Sequence, residues 1–172
     1  MSFALKSHSL DSFDFAILRI LQQNNRMALQ EIGRTVNLSS AAVQRRVRRM
    51  EDANIIQANI AMVDPAAVGR PITVIVEVVV DSEHANLLDA ARNDFASALE
   101  VQQCYYVTGA VDFILVLTVS TMEEYESLSR RLFLENINVK HFQTFVAMNR
   151  VKTGVSVPMP CFGAASTTRR TA

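Results

Sequence analysis

Four arginines lie within thirteen residues, in the stretch LSSAAVQRRVRRM from Leu38 to Met50, and no acidic residue stands among them. Guanidinium groups donate paired hydrogen bonds to phosphate oxygens and guanine edges, so this density of arginine suits a polyanion such as DNA. A solvated charged surface is the alternative. The absence of acidic partners at helical spacing argues against that alternative.

The charge of the chain is divided unevenly along its length, although the 172 residues have a net charge of zero. Residues 1–60 hold eight Lys or Arg against five Asp or Glu, and residues 61–172 hold nine against twelve. The two parts therefore carry +3 and −3. This difference favours two modules, of which only the first attracts polyanions.

The residue types of common enzymes are present without the spacing that catalysis needs. His8, His84 and His141 are widely separated, and no motif places a Ser or Cys beside them. Cys104 and Cys161 lack the paired spacing of zinc sites or redox dithiols, and no glycine-rich phosphate loop occurs. We therefore expect no enzyme, no metal and no cofactor.

The apolar runs are too short and too interrupted to cross a membrane. The run TVIVEVVV contains a charge and is far shorter than a span of about 20 residues. Nothing at the N-terminus has the pattern of a signal peptide. The sequence predicts a chain that works in the cytoplasm, without membrane partners.

Helical periodicity predicts three helices before residue 60. Asp11 is the expected cap of the first, the second covers roughly Ala28 to Val36, and the third runs from its cap, Ser39, to about Asn54. Asn37 suits a left-handed turn between the last two. The glycine at position 33, on the inner side of the second helix, suggests a helix passing close by.

The third helix has an apolar stripe, formed by Val43, Val47 and Met50, so most of its arginines face outward. Arg46, beside the stripe, is interpreted as a structural residue at its rim. A helix, a turn and a capped basic helix suit the major groove of DNA. The predicted DNA-binding residues are Ser39, Ser40, Ala41, Gln44, Arg45, Arg48 and Arg49.

The second half predicts two units of strand, helix and strand, and hence a ferredoxin-like βαββαβ sheet with helices on one face. In ITVIVEVVV, alternate residues from Ile72 to Val80 form the buried face. Ser82 is the expected cap of the first helix, and Thr121 with Glu124 forms a capping box for the second. The other predicted strands are VQQCYYV, FILVLTV and HFQTFVAMN.

The other face of this sheet is left uncovered and apolar, which implies a partner. Its expected members are Ile75, Val79, Tyr105 and Phe145. Glu77, in their midst, is expected either at an edge of the sheet or paired across an interface. Between the two central strands lies VTGAVDF, from Val107 to Phe113, which is typical of a hairpin turn with a glycine at positive φ and an aspartate that accepts backbone amides.

The sequence LDSFDFAILRILQQNNRMALQEIGRTVNLSSAAVQRRVRRMEDANII, followed by AMVDPAAVG, resembles the winged helix-turn-helix of the Lrp/AsnC transcription regulators. Nearly the whole chain shares the resemblance. Asn37 and Asn54 stand where the family often has glycine, and Ala28 replaces the usual Ser or Thr cap. The resemblance implies an α+β chain with a winged helix-turn-helix at 1–63, in which Ile55 to Val63 form the strand or wing. It also implies a hinge at 64–71, a ferredoxin-like effector and oligomerisation domain at 72–160 and a disordered tail at 161–172.

By the same resemblance, a free amino acid binds between dimers, and the homodimers assemble into tetramers or octamers on double-stranded DNA. In that case the amides beside Gly109 suit a carboxylate and Asp112 suits an ammonium group. An architectural protein that wraps DNA without an effector is the alternative function. The implied effector-binding residues are Thr108, Gly109, Ala110, Asp112, Phe113, Met122, Thr144, Phe145 and Val146.

Overall fold

The chain folds into two compact units, described here for residues 10–82 and 84–160 of a computed structural model. The first unit takes the chain up to Ala61 and again from Gly154, and the second is Met62–Thr153. The expected effector domain reaches residue 160, whereas the chain leaves the second unit seven residues earlier. The expected disordered tail lies outside the described residues.

Three helices form the described part of the first unit: α1 is Ser12–Gln23, α2 is Leu29–Val36 and α3 is Ser40–Asp52. Asp11 caps α1 in a capping box with Asp14, and the Ser39 hydroxyl accepts from the Ala42 amide at 3.2 Å, so both predicted caps are confirmed. Ala28 makes no side-chain cap to α2. The helices share one apolar core of Ile17, Leu18, Ile32, Val36, Val43 and Met50.

The turn between α2 and α3 is compact because a backbone carbonyl lies against Gly33. A Cβ at that position would lie 2.5 Å from the Leu38 carbonyl oxygen. The close neighbour is therefore the turn itself, and the prediction of a passing helix is wrong. Asn37 has φ 57° and Asn54 has φ 55°, which confirms the left-handed backbone expected at Asn37.

The segment after α3 does not form the predicted wing strand. Residues 57–64 have no regular secondary structure, and among the described residues no strand runs beside them. Ile60, Met62 and Val63 are exposed. An isolated extended segment without a hydrogen-bonding neighbour is not a strand, so the prediction of a wing from Ile55 to Val63 is wrong for this chain.

The second unit is a four-stranded antiparallel sheet in the order β2–β3–β1–β4, as the ferredoxin-like prediction requires. The strands are β1 (Ile72–Val80), β2 (Val101–Tyr106), β3 (Phe113–Val119) and β4 (Val139–Val146). The helices α4 (Ala85–Ser97) and α5 (Met122–Ser129) connect them, and a π-helical turn extends α5 to Leu134. Their apolar residues join those of the sheet in one core.

Strand alternation assigns the two faces as predicted. Val74, Val76, Val78 and Val80 are buried beneath the helices, while Ile72 is half-buried at the edge of the same core. The open face carries Ile75 and Val79, half-buried, with Tyr105 52% exposed and Phe145 41% exposed. Glu77 lies on the same face, between Ile114 of β3 and Gln143 of β4, so it is not at a sheet edge.

Of the two predicted caps in this unit, the one at Ser82 is wrong, and the one at Thr121 is confirmed without its capping box. α4 begins after His84 rather than at Ser82, whose hydroxyl accepts from the His84 amide while its backbone is held by Asn138. Thr121 does cap α5 through the Glu124 amide, but the Glu124 carboxylate bonds to Ser120 instead of to Thr121. The polar side chains of the turns therefore fix segments that lie just before each helix.

One fully buried carboxylate joins α1 to α3. Asp14 accepts from Arg46 at 2.8 Å and from Arg49 at 2.5 Å, and its other partner is the Asp11 amide at 3.0 Å. The arginine side chains are 24% and 55% exposed. A buried acid of this kind is stable only because each of its oxygens has charged or backbone partners.

Replacing Asp14 with alanine is expected to lower the free energy of unfolding by about 2 to 4 kcal/mol, because it removes both arginine bonds and the capping box. Asp52→Ala, at the exposed end of α3, is the matched control. Urea unfolding followed by circular dichroism measures both variants. Equal stability of the two variants would contradict a structural role for Asp14.

Candidate functional site

The outer side of α3 is exposed as the sequence predicts. Every one of the proposed DNA-contacting residues is solvent-exposed: Ser39, Ser40, Ala41, Gln44, Arg45, Arg48 and Arg49. The opposite side of the helix holds the fully buried Val43 and Met50. The helix therefore presents one continuous exposed surface, and the packing of its buried side chains in the core fixes its backbone.

The four arginines of α3 divide into two pairs. Arg46 bonds to Asp14 and Asp11, each at 2.8 Å, and these bonds raise the pKa of its guanidinium. Its interpretation as a structural residue is confirmed. Arg49 reaches Asp14 as well, although its side chain remains largely exposed. Arg45 and Arg48 have no ion-pair partner anywhere in the described chain.

The sequence did not predict that Asp11 and Asp14, at the start of α1, form ion pairs with arginines of α3. Helical spacing draws attention to arginine partners at i+4 on the same helix, whereas Asp11 and Asp14 lie 35 and 32 residues before Arg46. Burial raises the pKa of Asp11, but the Asp14 amide and Arg46 outweigh it and hold the pKa of that carboxyl below its usual value. The position of Asp14 within the apolar stripe of α1 was the one sequence feature that could have indicated a buried ion pair.

The loop from Val107 to Asp112 connects β2 to β3 at the end of β1. Thr108, Gly109 and Ala110 are exposed, and Gly109 has φ 141°, so the expected positive φ is confirmed. Their backbone N–H groups make no hydrogen bond to any described residue. Three adjacent amides open to solvent can donate to an anion such as a carboxylate.

Asp112 holds the loop against the sheet. Its Oδ2 accepts from the Val80 amide at 2.8 Å, its own amide donates to the Val78 carbonyl at 2.9 Å, and its carbonyl accepts from the Val107 amide at 2.8 Å. The hairpin interpretation of this aspartate is confirmed. Because only one carboxylate oxygen is used in these bonds, the second can accept from another donor.

Phe113 supports the loop from within the core. Its side chain is fully buried, with its ring centroid 5.3 Å from that of Phe95 and 5.2 Å from that of Tyr106. The side chain is therefore closed off from a ligand above the loop. Its packing fixes the first position of β3 and, with it, the adjacent Asp112.

The other implied effector residues on β4 lie at increasing distance along the sheet from the loop. Val146 pairs with Val74 and Thr144 with Val76, whereas Asp112 bonds to Val78 and Val80. At about 3.3 Å per residue, the four to six residues of β1 that separate Asp112 from the position of Val146 span about 13 to 20 Å. One chain therefore holds Val146 well away from the loop. Thr144, opposite Val76, is nearer, at two to four residues of β1 or about 7 to 13 Å.

Residues around Thr144 also face different sides. Thr144 and Val146 share the helix-covered face, and Phe145 pairs with Ile75 on the open face. The Thr144 hydroxyl lies 2.5 Å from the Tyr125 hydroxyl of α5, whose pKa is raised by burial. Met122 is exposed in the first turn of α5, three residues before Tyr125.

A second interaction that the sequence did not predict fixes the segment before β1 to α5. Arg70 donates twice to the Thr118 carbonyl, at 3.2 and 2.9 Å, and pairs with Glu124 at 2.7 Å. The hydrogen bonds from Ser120, followed by those from Arg70, lower the pKa of Glu124 to about 2. The last but one residue of the predicted hinge is thus held by both β3 and α5.

Two family models match this arrangement, one for each half of the chain. The AsnC-type helix-turn-helix domain matches residues 10–51, and the Lrp/AsnC ligand binding domain matches residues 73–157. The chain belongs to the Lrp/AsnC family. It is a transcription regulator of the Lrp/AsnC type, with the helix-turn-helix in α1 to α3 and the ligand-binding domain in the β-sheet unit.

Relatives of this Lrp/AsnC regulator are similar to it in sequence or structure over most of their length. An HTH-type transcriptional regulator of Sinorhizobium fredii is 44% identical over 87% of this chain and 89% of its own. An AsnC family regulator from Agrobacterium tumefaciens has a TM-score of 0.81 at 28% identity, over 87% and 97% of the two chains. A regulator from Neisseria meningitidis, solved as an L-Met complex, has a TM-score of 0.81 at 25% identity over the same shares.

Other kinds of site have little support in the described part of this regulator. Residues 10–82 and 84–160 contain no group of three His, Cys, Asp or Glu side chains that could hold a metal. Cys104 is unpaired there, and burial raises the pKa of its thiol. No described helix has the length and apolar character that a membrane span requires.

Proposed function

We propose that this Lrp/AsnC regulator binds operator DNA in the cytoplasm through α3 and responds to a free amino acid bound between dimers. The observation that carries the DNA assignment is the division of the four arginines. Asp11 and Asp14 anchor Arg46 and engage Arg49, which leaves Arg45 and Arg48 exposed on a helix of fixed orientation. Exposed arginines on a rigid helix suit phosphates or guanine edges in a major groove.

A second copy of the chain covers the open face of the sheet in this proposal. The face is apolar over Ile75, Val79, Tyr105 and Phe145, and the helices cover only the other side. Two sheets packed face to face give a two-fold dimer. Its two recognition helices then address half-sites about 34 Å apart, so the operator is an imperfect palindrome.

The effector site is proposed to form between dimers, which join into tetramers or octamers. Within one chain the loop at Thr108 to Asp112 lies at the end of β1, whereas Thr144 pairs with the middle of that strand and Val146 pairs nearer its start. Phe145 faces the open side of the sheet, and Met122 lies in the first turn of α5. In this proposal, a pocket that uses both the loop and Val146 takes them from different protomers. The free amides of the loop suit the ligand carboxylate, and the open oxygen of Asp112 suits its ammonium group.

A free amino acid is the effector that this chemistry favours, and the Neisseria relative solved with L-Met supports it. An architectural protein that wraps DNA would share the basic helix without needing the loop to be occupied. Calorimetric titration of the protein with each of the twenty amino acids separates the two functions. Heat of binding from at least one amino acid supports the regulator, and none from any of them supports the architectural function.

Replacing Arg45 and Arg48 together with alanine should weaken binding to an operator selected from a random duplex pool. The slope of log affinity against log salt should fall by about 1 for each phosphate that is no longer bound, and removing a base interaction should cost about 1 to 3 kcal/mol at its own position. The matched control is Arg130→Ala with Arg131→Ala, two exposed arginines of the other unit. Fluorescence anisotropy at several salt concentrations measures both. Unchanged affinity and slope would rule out α3.

Replacing Val79 with aspartate should dissociate the dimer, because it places a charge in the apolar open face. The control is Val68→Asp, which changes an exposed valine before β1. Sedimentation velocity at micromolar concentration should give dimers or larger assemblies for the parent and the control, and monomers for Val79→Asp. A parent chain that sediments as a monomer would contradict the proposed assembly.

Replacing Asp112 with asparagine should weaken effector binding by at least tenfold, since a charged hydrogen bond is worth about 1.5 to 3 kcal/mol. Asparagine keeps an oxygen for the Val80 amide, so the melting temperature should remain near that of the parent. Asp89→Asn, on the exposed side of α4, is the control. If a folded Asp112→Asn protein binds the amino acid as tightly as the parent, Asp112 serves only the turn.

A further inference from the structure

The chain returns from the sheet unit to α1 and is held there by polar bonds to its backbone. The Gln22 carboxamide donates to the Val157 carbonyl at 3.0 Å and accepts from the Val157 amide at 2.6 Å. Arg19 donates to the Pro160 carbonyl at 3.0 Å. One side chain thus satisfies both backbone groups of Val157, as a neighbouring strand would.

A single apolar side chain completes this attachment. Met159 is half-buried and packs against the core shared by α1, α2 and α3. Val155 and Val157 remain exposed, at 66% and 62%. Residues 154–160, named here the strap, are therefore fixed by directed hydrogen bonds and one half-buried methionine, and not by a broad apolar surface.

The strap gives the DNA-binding unit a second connection to the effector domain. The first is the chain from Met62 to Arg70, and the second leaves β4 at Val146 and reaches Val157 eleven residues later. A domain joined by one irregular segment loses orientational freedom when it binds, and a second attachment removes part of that freedom in advance. The strap follows β4, the strand that carries Thr144 to Val146.

We propose that the strap pre-orients the two DNA-binding units of a dimer for an operator with two half-sites. The proposal rests on operator binding by a dimer, as argued under the proposed function. A single half-site needs one recognition helix and gains nothing from the relative orientation of two. The strap should therefore raise the affinity for a full operator without changing the affinity for a half-site.

Gln22→Ala tests this device, because it removes both bonds to Val157 and leaves the helix surface otherwise intact. Gln23→Ala is the matched control, since Gln23 is the next residue of α1, is exposed and bonds to no described residue through its side chain. A chain that ends at Thr153 removes the strap entirely. Anisotropy titrations with the selected full operator and with a duplex of one half-site give the ratio of the two affinities.

The ratio of full-operator to half-site affinity should fall by roughly tenfold in Gln22→Ala, because two hydrogen bonds are removed, and at least as far in the shortened chain. Gln23→Ala should keep the parent ratio. Amide hydrogen exchange measured on the peptide that contains Val157 should speed up in Gln22→Ala but not in Gln23→Ala, which would show that the strap has been released.

Three results would overturn the strap's role. Faster exchange at Val157 with an unchanged ratio of full-operator to half-site affinity would mean that the strap does not orient the DNA-binding units. An equal fall in affinity for the half-site would place the effect in the recognition helix. A parent protein that binds neither duplex would contradict operator binding itself, and the strap's role with it. A lower ratio with half-site affinity retained supports the proposal.

Discussion

The buried carboxylate of Asp14 is the constraint on which the DNA-binding surface depends. It lies in the apolar core of the helical unit and takes its charge balance from Arg46 and Arg49 of α3. A buried charge without partners strongly destabilises a fold. Rotation of α3 about its axis would break the bonds of Arg46 and Arg49 to Asp14, so these bonds hold the helix in one orientation. That orientation is what turns Arg45 and Arg48 to the outside. The same interaction therefore stabilises the fold and determines which arginines are available to a ligand.

The sheet unit obeys a different constraint, the alternation of side chains along each strand. Alternation buries one face under α4 and α5 and leaves an apolar face open, and it also separates Thr144 from Phe145. Strand length then holds the exposed loop at Thr108 to Asp112 away from the end of β4. In the proposed effector site, a second copy of the chain brings the loop and the end of β4 together.

Patterns with a fixed period and the order of the strands could be predicted from the sequence, and individual side-chain bonds between distant residues could not. The caps at Asp11 and Ser39, the alternation from Ile72 to Val80 and the left-handed Asn37 depend on neighbours within a few residues. The pairing of Asp14 with Arg46, the clamp of Arg70 on Thr118 and the bond of Gln22 to Val157 join residues 32, 48 and 135 positions apart. The wing prediction was wrong for the same reason, because a strand exists only beside another strand. For the effector loop, the residues and the turn could be predicted, but not the distance to the other implied ligand-binding residues.

The clamp at Arg70 has a mechanical consequence for the segment that joins the two units. Its guanidinium fixes the first residues of β1 to the Thr118 carbonyl and to Glu124, whose pKa of about 2 keeps it charged at any pH at which a cell lives. Gly69, one residue earlier, has φ 78° and open space where a side chain would lie. The connecting segment is therefore fixed at Arg70, and any change in its backbone dihedral angles is expected at Gly69 or at an earlier residue. Acidification within the physiological range leaves the Arg70–Glu124 ion pair intact, because Glu124 stays ionised. The direction in which the chain enters β1 should therefore not change with pH in that range.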